Sequence, residues 1–422
     1  MAGLGTVGIA TLKLLATHHD LIVCRSGRPL VVTAVSACDR KRDRGVPLEG
    51  FTWHDDPIHM ARVAEADVVV ELIGGAGDPA RAVCEAAIDC GRHVVTANKA
   101  LLAHHGAALA RAAEAAQVTL AFEAAVAGGI PIIKALREGL APNRLSRVYG
   151  ILNGTCNYVL TKMRESGRDF ADVLQEAQAL GYAEADPSFD IDGIDTAHKL
   201  ALLTSLAFGT EIDMQSVYIE GIRHISAADI SYANELGYCI KLLGIAQRTE
   251  HGVEQRVHPA MVAWSTAIAS VDGVFNAVVA EGDSVGRSVY VGRGAGGGPT
   301  ASAVVADLID IAAGRSAPTF GVAATALTRL QATAMAQHRS AFYVRLMVVD
   351  KPGVFADVAA ALRDEQVSME SVLQRRRDPG EIVPVVMTLH DTEEHAMLRA
   401  LKRINHLAAV VELPRLIRIE CL

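Results

Sequence analysis

The sequence predicts an α/β protein of three consecutive domains: a doubly wound parallel sheet, an α+β domain and a C-terminal βαββαβ domain. Three observations support this prediction. A glycine-rich turn opens the chain, apolar runs alternate with helical segments over the next 120 residues, and short strands and helices alternate after residue 340. The predicted domains cover residues 1–127, 128–320 and 341–422. With roughly 150 residues per domain as a guide, 422 residues suffice for three.

The composition indicates a globular protein and excludes several classes of partner. Half of the residues are hydrophobic, 21% are charged, and the formal charge is −8, which argues against a nucleic-acid or membrane partner. The seven cysteines include no CxxC pair, so neither a disulfide framework nor a zinc site is predicted. No apolar run reaches the ~18 residues of a membrane helix, and no signal peptide is recognisable. We therefore expect a soluble cytoplasmic protein.

The opening turn is a GxGxxG motif followed by a helical segment over residues 7–17. Such glycines permit a tight turn and let a pyrophosphate approach the N-terminus of the helix. Apolar runs typical of buried parallel strands follow at 30–37, 67–75, 93–98 and 118–122, separated by helical segments. This alternation predicts a Rossmann-like dinucleotide-binding domain. The cofactor-binding turn consists of Gly3, Leu4, Gly5, Thr6, Val7 and Gly8.

Two features of this domain leave alternatives open. Asp39 favours a ribose 2′-OH and the neighbouring Arg40 favours a 2′-phosphate, so both NAD and NADP fit, and a solvated basic turn fits equally well. Only Met1 and Ala2 precede Gly3, which shortens the central strand of the sheet. Either the native start lies upstream or the cofactor site is compromised.

Lys99 and Glu123 both follow predicted strands. Lys99 comes directly after the strand 93–98, at the edge where doubly wound sheets bind ligands, although lysines at strand ends are usually just solvated. Glu123 precedes small residues and glycines whose carbonyls could surround a hard cation. On sequence alone, a helix-entry loop with a capping acid is the better interpretation of Glu123.

The middle of the chain predicts an α+β domain with a polar cleft. A strand at 144–153 and two helices precede an acidic stretch, 177–199, and three strands follow between 258 and 292. Asp195 and Lys199 are four residues apart on a helix, so they share one face. Such pairs are usually surface salt bridges, but here the helix is apolar and other acids crowd its start. These acids are Glu184, Asp186, Asp190 and Asp192.

A glycine-rich loop at 293–300 leads into a helix that ends near residue 313. Its glycines permit close backbone approach, so the loop either contacts the cofactor or substrate or is a flexible connection. We expect that the helix 299–313 can pack back on the first domain.

The last 80 residues predict the order βαββαβ, with a turn at 350–353 before the first helix, 354–364. This tail resembles an ACT domain, in which that turn borders an amino-acid effector site between paired domains. A dimerisation module that binds no ligand is the alternative.

The acidic stretch resembles the signature of homoserine dehydrogenase. The similarity covers Gly181, Asp186, Asp190, Gly193, Asp195 and Lys199. Further family motifs follow in order: GLGTVG at 3–8, TANK at 96–99, EAAVAGGIP at 123–131, NGTCNY at 153–158 and GAGGGPTASAV at 294–304. The resemblance implies NAD(P)H-dependent reduction of L-aspartate 4-semialdehyde to L-homoserine, in threonine, methionine and isoleucine biosynthesis.

The resemblance also implies a role for individual residues. Lys199 is the proton-transfer residue, Asp195 orients it and contacts substrate, and Lys99 is a second active-site lysine. The substrate residues implied are Glu184, Asp190, Tyr182 and Gly181. Besides the opening turn, the cofactor residues implied are Arg40, Thr96, Lys99, Gly181, Gly294 and Gly296. A Na⁺ or K⁺ site is implied at Glu123, Val126, Gly128 and Ile130.

For the assembly, the resemblance implies a homodimer or homotetramer with threonine as effector at the ACT domain. Two competing functions remain at this point. A non-catalytic protein that senses a cofactor or amino acid would fit the shortened first strand, and an oxidoreductase acting on another aldehyde would share the two-domain layout. The intact set of Lys99, Asp195 and Lys199 favours the enzyme over the sensor.

Overall fold

A computed structural model describes the chain at residues 1–375 and 380–422. The first 121 residues form parallel strands with helices packed against them. The elements are α1 (Thr6–Thr17), α2 (His19–Ser26), β1 (Ala34–Ser36), β2 (Thr52–His54), α3 (Pro57–Val63), β3 (Val68–Glu71), α4 (Ala80–Asp89), β4 (His93–Thr96), α5 (Lys99–Ala115) and β5 (Leu120–Ala121).

The opening residues take the central position of this sheet. Ala2 bridges Ser36 of β1 and Glu71 of β3 in parallel register. Its N–H donates to Val70 O at 2.8 Å, and its carbonyl accepts from Leu72 N at 2.7 Å. The strand order is therefore β2-β1-Ala2-β3-β4-β5, and the glycine turn emerges at the carboxyl edge.

The middle of the chain supplies a large sheet covered by helices. Its elements are α6 (Ile132–Lys134), β6 (Leu145–Ile151), α7 (Gly154–Ser166), α8 (Phe170–Ala179), α9 (Ser188–Ile191), α10 (Ile194–Phe208), β7 (Tyr218–Ile219), α11 (Ala227–Glu235), β8 (Tyr238–Thr249), β9 (Gly252–Ala263), β10 (Phe275–Gly282), β11 (Gly286–Arg293) and α12 (Gly297–Ala312). Helix α10 is buried along most of its length between this sheet and α5 of the first domain. Helix α12 returns to pack on α1.

The tail has the predicted βαββαβ order. It consists of β12 (Arg339–Val349), α13 (Val354–Asp364), β13 (Met369–Leu373), β14 (Ile382–Glu393), α14 (Glu394–Ile404) and β15 (Arg415–Glu420). Strand β15 pairs in parallel with β9, with Arg418 opposite Ala260 and Glu420 opposite Val262. The tail and the middle domain therefore share one sheet, in the order β11-β10-β6-β8-β9-β15-β12-β14-β13 with β7 beside β9.

Buried ion pairs cross this junction. Arg418 on β15 donates to Glu220 at 2.7 Å and also pairs with Glu394. Arg256 on β9 pairs with Glu420 at 3.0 Å. Buried pairs of this kind are costly to break on one side only, so the tail is bound to the middle domain by more than strand pairing.

In residues 1–375 and 380–422, no single helix is long and apolar enough to span a membrane. Helices α1 and α2, which meet at an 83° bend, meet the length and composition criteria only when taken together.

Candidate active site

A buried acid–lysine pair lies at the start of α10. The helix begins after Gly193, which has a left-handed φ of 85° and where a Cβ would make a tight contact with Val257 Cγ1, at 3.1 Å. Lys199 Nζ donates to Asp195 Oδ2 at 2.6 Å and to the Leu152 carbonyl at 2.7 Å. The Asp195 side chain is only 5% exposed and the Lys199 side chain 9%. This pair is therefore not the solvated surface salt bridge that the spacing alone would suggest.

Lys99 reaches the same carboxylate from the other domain. It is the first residue of α5, and its Nζ lies 3.3 Å from Asp195 Oδ1. Burial works to raise the pKa of Asp195, but the charges of Lys199 and Lys99, with hydrogen bonds from Lys199 and Asn153, lower it to about 2. Asp195 is therefore an ionised carboxylate between two ammonium groups at neutral pH.

Asn153 links a second acid, Asp190, to Asp195. Its Oδ1 caps α7 by accepting from Cys156 N at 2.8 Å, and its Nδ2 donates to Asp190 Oδ1 at 2.8 Å and Asp195 Oδ2 at 2.9 Å. Burial and the charge of Asp195 raise the pKa of Asp190. Asn153 was not among the predicted site residues, although an asparagine directly before a helix is a recognisable N-cap signal.

The loop before α9 carries the other predicted substrate residues. The Tyr182 ring packs against Tyr158 at a 53° tilt, with ring centroids 4.9 Å apart, and its carbonyl accepts from Thr155 Oγ1 at 2.7 Å. Gly181 has a left-handed φ of 75°. Glu184 is exposed, and within the described chain no hydrogen bond or ion pair links its carboxylate to the buried group. The structure thus joins Lys99, Asp190, Asp195 and Lys199, and leaves Glu184 on the loop surface.

An aromatic wall lies beside Lys99. Lys99 Nζ is 5.8 Å from the ring centroid of Phe189, which contacts His198 at 5.5 Å. His198 in turn meets His104 edge to face at 5.3 Å. Burial and the neighbouring His104 lower the pKa of His198 to about 4, so its imidazole is neutral at physiological pH. No sequence pattern indicates this cluster, because its members come from three separate helices, α5, α9 and α10.

The glycine turn has the geometry of a phosphate-binding cradle. Gly3 has a φ of 99°, and a Cβ there would lie 2.5 Å from Leu72 O; a Cβ on Gly8 would lie 2.3 Å from Gly3 O. Gly5 is the N-cap of α1 and provides no side-chain cap. The free N–H groups of the first turn and the helix dipole favour an anion there. The residues present fit a dinucleotide pyrophosphate.

Arg44 organises the loop that follows β1. Its guanidinium donates to the carbonyls of Leu4 at 3.3 Å and Asp39 at 2.5 Å, and it is 9% exposed. Arg40 and Arg44 both lie over the Trp53 ring, at 5.8 and 5.6 Å. Arg44, which sequence reasoning missed, therefore ties Asp39, the residue before the predicted Arg40, to the glycine turn at Leu4.

The glycine-rich loop connects the predicted cation loop with the nucleotide turn. Gly128 N–H donates to Gly294 O at 2.9 Å. Gly296 has a φ of 117°, and a Cβ on Gly297 would lie 3.2 Å from Thr6 Cγ2. The loop therefore packs against both segments, with Gly294 and Gly296 between the two predicted ligand sites.

Glu123 caps a helix. Its carboxylate accepts from Ile133 N at 3.0 Å and Lys134 N at 2.9 Å, and Asp307 accepts from its own N–H at 2.8 Å. Burial, and next the charge of Asp307, raise its pKa to about 7. In the described part of the chain no group of three or more His, Cys, Asp or Glu side chains could hold a metal. The cation site stays a prediction.

Comparison with known protein families agrees with this architecture. Residues 131–309 match the family described as "Homoserine dehydrogenase", and residues 3–123 match "Homoserine dehydrogenase, NAD binding domain". Residues 342–406 match "ACT domain". A homoserine dehydrogenase of Neisseria gonorrhoeae is 45% identical over 429 residues, covering 100% of this chain and 98% of that protein. One from Pseudomonas aeruginosa is 46% identical over 425 residues, covering 98% and 94%.

Solved structures extend the comparison to the whole fold. A homoserine dehydrogenase from Thiobacillus denitrificans superposes with a TM-score of 0.94 at 44% identity, covering 99% of this chain and 97% of that one. A hyperthermophilic archaeal homoserine dehydrogenase in complex with NADPH has a TM-score of 0.63 at 26% identity, covering 73% and 95%.

These comparisons decide between the functions that the sequence left open. The predicted fold class and the NAD(P)-dependent reduction of L-aspartate 4-semialdehyde to L-homoserine are confirmed. The non-catalytic alternative finds no support. The chain belongs to the homoserine dehydrogenase family.

Proposed function

We propose that Lys199 is the proton-transfer residue of this reaction, with Asp195 and Lys99 completing the catalytic group. The observation that carries the proposal is the buried Asp195 carboxylate, 2.6 Å from Lys199 Nζ and 3.3 Å from Lys99 Nζ. Reduction of an aldehyde develops negative charge on its oxygen, which an adjacent ammonium stabilises and then protonates.

The contacts of Lys199 leave it suited to this role. An ammonium has three N–H donors, and among the described residues Leu152 O and Asp195 Oδ2 take two of them. The third is left for the substrate oxygen. The Asp195 carboxylate fixes the Lys199 ammonium in place, and Lys99 stabilises the negative charge of Asp195.

For the cofactor, we propose that the turn from Gly3 to Gly8 binds the pyrophosphate and that Arg40 faces the adenosine ribose. The nicotinamide group supplies or accepts the hydride. Thr96, Lys99, Gly181, Gly294 and Gly296 would border the rest of the dinucleotide. Stacking of Arg40 and Arg44 on Trp53 concentrates positive charge near the ribose, which supports acceptance of NADP as well as NAD.

For the substrate, we propose that acids bind the amino group. Asp190 is partly buried beside Asp195, and burial and that charge raise its pKa. A substrate ammonium would stabilise its ionised form. Glu184, Tyr182 and Gly181 lie on one loop, tied down by the Thr155 bond to the Tyr182 carbonyl, and would close over the same ammonium.

For a monovalent cation, we propose the loop from Glu123 to Ile130, with main-chain carbonyls of Glu123, Val126, Gly128 and Ile130 as ligands. The Glu123 carboxylate already accepts two backbone N–H groups, which favours carbonyl oxygens over that side chain. Replacing Na⁺ and K⁺ by tetramethylammonium at constant ionic strength should lower activity. Unchanged activity would refute the site.

We further propose a cytoplasmic homodimer or homotetramer. Strand β11 is at one end of the described sheet and exposes Val289 and Val291, at 40% and 55%. Exposed apolar side chains on an edge strand favour burial against another chain. For the effector, a pocket of about 90 Å³ between the 350–353 turn and α13 supports a small amino acid such as threonine.

The central proposal is tested with Lys199→Ala. Oxidation of NADPH and NADH by aspartate 4-semialdehyde is followed spectrophotometrically, and kcat should fall by about 10² to 10⁴ with a small change in the cofactor KM. Lys162→Ala removes a lysine of α7 that pairs with Glu165 on the surface and should behave as wild type. Unchanged turnover of Lys199→Ala would remove Lys199 from the mechanism.

A further inference from the structure

Glu71 is a buried carboxylate for which the assignments above give no role. It is the last residue of β3 and is 0% exposed. Its Oε1 accepts from Ile73 N at 2.7 Å and Gly74 N at 3.3 Å, and its Oε2 accepts from Thr96 Oγ1 at 2.6 Å. One carboxylate thus binds the ends of two neighbouring parallel strands. All three partners donate, as an ionised carboxylate requires.

From Thr96 the hydrogen bonds continue to the start of α5. Thr96 Oγ1 accepts from Asn98 N at 3.0 Å. Asn98 Nδ2 donates to Gly75 O at 2.7 Å, and its Oδ1 caps the helix by accepting from Leu101 N at 3.0 Å. Lys99 is the first residue of this helix. The 72–75 loop and the first turn of α5, which begins with Lys99, therefore belong to one closed hydrogen-bond network.

The same loop supports the glycine turn. Leu72 N donates to Ala2 O at 2.7 Å. Gly3 packs so closely on the loop that a Cβ would lie 2.5 Å from Leu72 O and 3.1 Å from Ile73 N. A shift of this loop would be transmitted directly to the turn predicted to bind the pyrophosphate.

We propose that Glu71 is a positioning residue for hydride transfer, which fixes Lys99 relative to the cofactor-binding turn through Thr96 and the 72–75 loop. The proposal rests on the role given to Lys99 above. Glu71 touches neither reacting atom; it holds two segments from neighbouring strands at a constant distance. Because interiors are close-packed, a displacement of either segment cannot be absorbed by its surroundings.

The test uses Glu71→Gln, Thr96→Val and the double variant. Glu71→Gln keeps the size but replaces one acceptor oxygen by an NH₂ group. We expect kcat to fall about tenfold or more and the KM for NADPH to rise about threefold or more, with the KM for aspartate semialdehyde changed less than about twofold. The loss of kcat in the double variant should not exceed the loss in the more impaired single variant, because both substitutions break the same network.

Several controls separate positioning from folding. Glu85→Gln, which alters an exposed carboxylate of α4 paired with Arg81, should match wild type in every parameter. Thr96→Ser keeps the hydroxyl and should restore most of the activity that Thr96→Val loses. If Glu71→Gln does not fold, Glu71→Asp, which keeps the charge but shortens the side chain by one methylene, takes its place in the same kinetic comparison.

Additive losses in the double variant, or equal rises in both KM values, would overturn the proposal. A Lys99→Ala variant separates the role of Glu71 from the role of Lys99. If Lys99→Ala is impaired while Glu71→Gln and Thr96→Val keep wild-type kinetics, the positioning role of Glu71 is wrong and the role of Lys99 stands. If Lys99→Ala itself keeps wild-type kinetics, the role of Lys99 is wrong, and the proposal for Glu71 falls with it.

Discussion

Individual carboxylates in this protein differ because of what surrounds each one. Asp195 and Asp190 lie within reach of one Asn153 side chain, yet their pKa values shift in opposite directions. Two lysines and hydrogen bonds outweigh burial at Asp195 and lower its pKa to about 2. At Asp190 burial prevails, reinforced by the charge of Asp195, and raises the pKa. Asp195 is thus a fixed anion, whereas a cation bound beside Asp190, such as the proposed substrate ammonium, would lower the raised pKa of that acid.

Glu123 leads to a prediction about the pH dependence of stability. Burial, and next the charge of Asp307, raise its pKa from 4.5 to about 7. Between these values the folded state binds more protons than the unfolded chain, so the free energy of unfolding falls as pH rises through this window. A glutamine at position 123 does not titrate, so it contributes no such decline in the free energy of unfolding. The Tm of wild type relative to Glu123→Gln should therefore fall from about pH 5 to about pH 7.5.

Differential scanning calorimetry at several pH values measures this difference. Glu138→Gln, at an exposed position near the same helix, should show a Tm difference from wild type that does not change with pH. A constant difference for Glu123→Gln across the window would contradict the raised pKa.

The residues that sequence reasoning missed are mostly partners of residues that it found. Asn153 opens the NGTCNY motif, but that motif assigns it no role, and Arg44 and Glu71 lie in no motif that assigns them one. Each becomes informative only when folding brings it to a predicted residue: Asn153 to Asp195, Arg44 to the turn at Leu4. Lys99 and Asp195 are 96 positions apart, so their contact depends on the packing of α5 against α10 and not on local spacing.

At the scale of elements, sequence periodicity predicted the helices better than the strands. The helix predicted at 354–364 has the observed bounds. Of the strand predicted at 30–37, only Ala34–Ser36 forms β1, because its partners, β2 and Ala2, offer so few residues for pairing. Strand β8 was missed, since its side chains are buried on both faces and show no alternation.

The glycine-rich loop gives a prediction about close packing. A Cβ on Gly294 would lie 2.0 Å from Nδ2 of Asn276, a side chain that is 1% exposed on β10. Because the Asn276 side chain is buried, either it or the loop backbone must shift, at a cost of about 1–3 kcal/mol, and we expect the Gly128 bond to Gly294 O to weaken. Gly294→Ala should therefore raise the cofactor KM about tenfold or more, in steady-state assays.

Gly298 provides the matched control for this substitution. It lies in the first turn of α12, four residues further on, and a Cβ there would meet nothing within 4 Å. Gly298→Ala should keep wild-type kinetics. If both alanine variants behave alike, the close approach of Gly294 to Asn276 does not matter for cofactor binding.

At the scale of the whole molecule, the tail completes the sheet of the middle domain. Deleting residues 341–422 removes β15 from the edge of β9 and leaves Arg256, whose side chain is 2% exposed, without Glu420. Arg256 then keeps only Glu254 as a partner, at 2.9 Å, and the strand pairing and the other ion pairs of the junction are lost with it. We expect the truncated protein to unfold at lower denaturant concentration than the full chain and to lose activity.

The single substitution Arg418→Met tests the same junction without removing a domain. It leaves Glu220 and Glu394 without their buried partner, so its denaturation midpoint should also fall. Arg339→Met, which removes an exposed pair with Asp391, should have little effect. A truncated protein as stable as the full chain would show that the tail is an independent appendage.

Because we expect truncation to disturb the catalytic domain, a point substitution in the pocket is a better test of effector binding than deletion. Val354 lines the small pocket beside the 350–353 turn, and Val354→Phe would fill much of its roughly 90 Å³. If threonine binds there, the variant should keep basal turnover and lose inhibition by threonine. Val411→Phe, at an exposed position outside the pocket, should be inhibited like wild type.

The fold offers a route by which such a ligand would reach the active site. Strand β12 borders the pocket and pairs with β15, from which Arg418 binds Glu220 at 2.7 Å. The next residue, Gly221, packs on the end of α9, where a Cβ would lie 2.3 Å from Ile191 O. Asp190 is in the same turn of α9. Titrating threonine against initial rate tests whether this contact route carries coupling; a wild-type enzyme indifferent to threonine, or undiminished inhibition of Val354→Phe, would refute it.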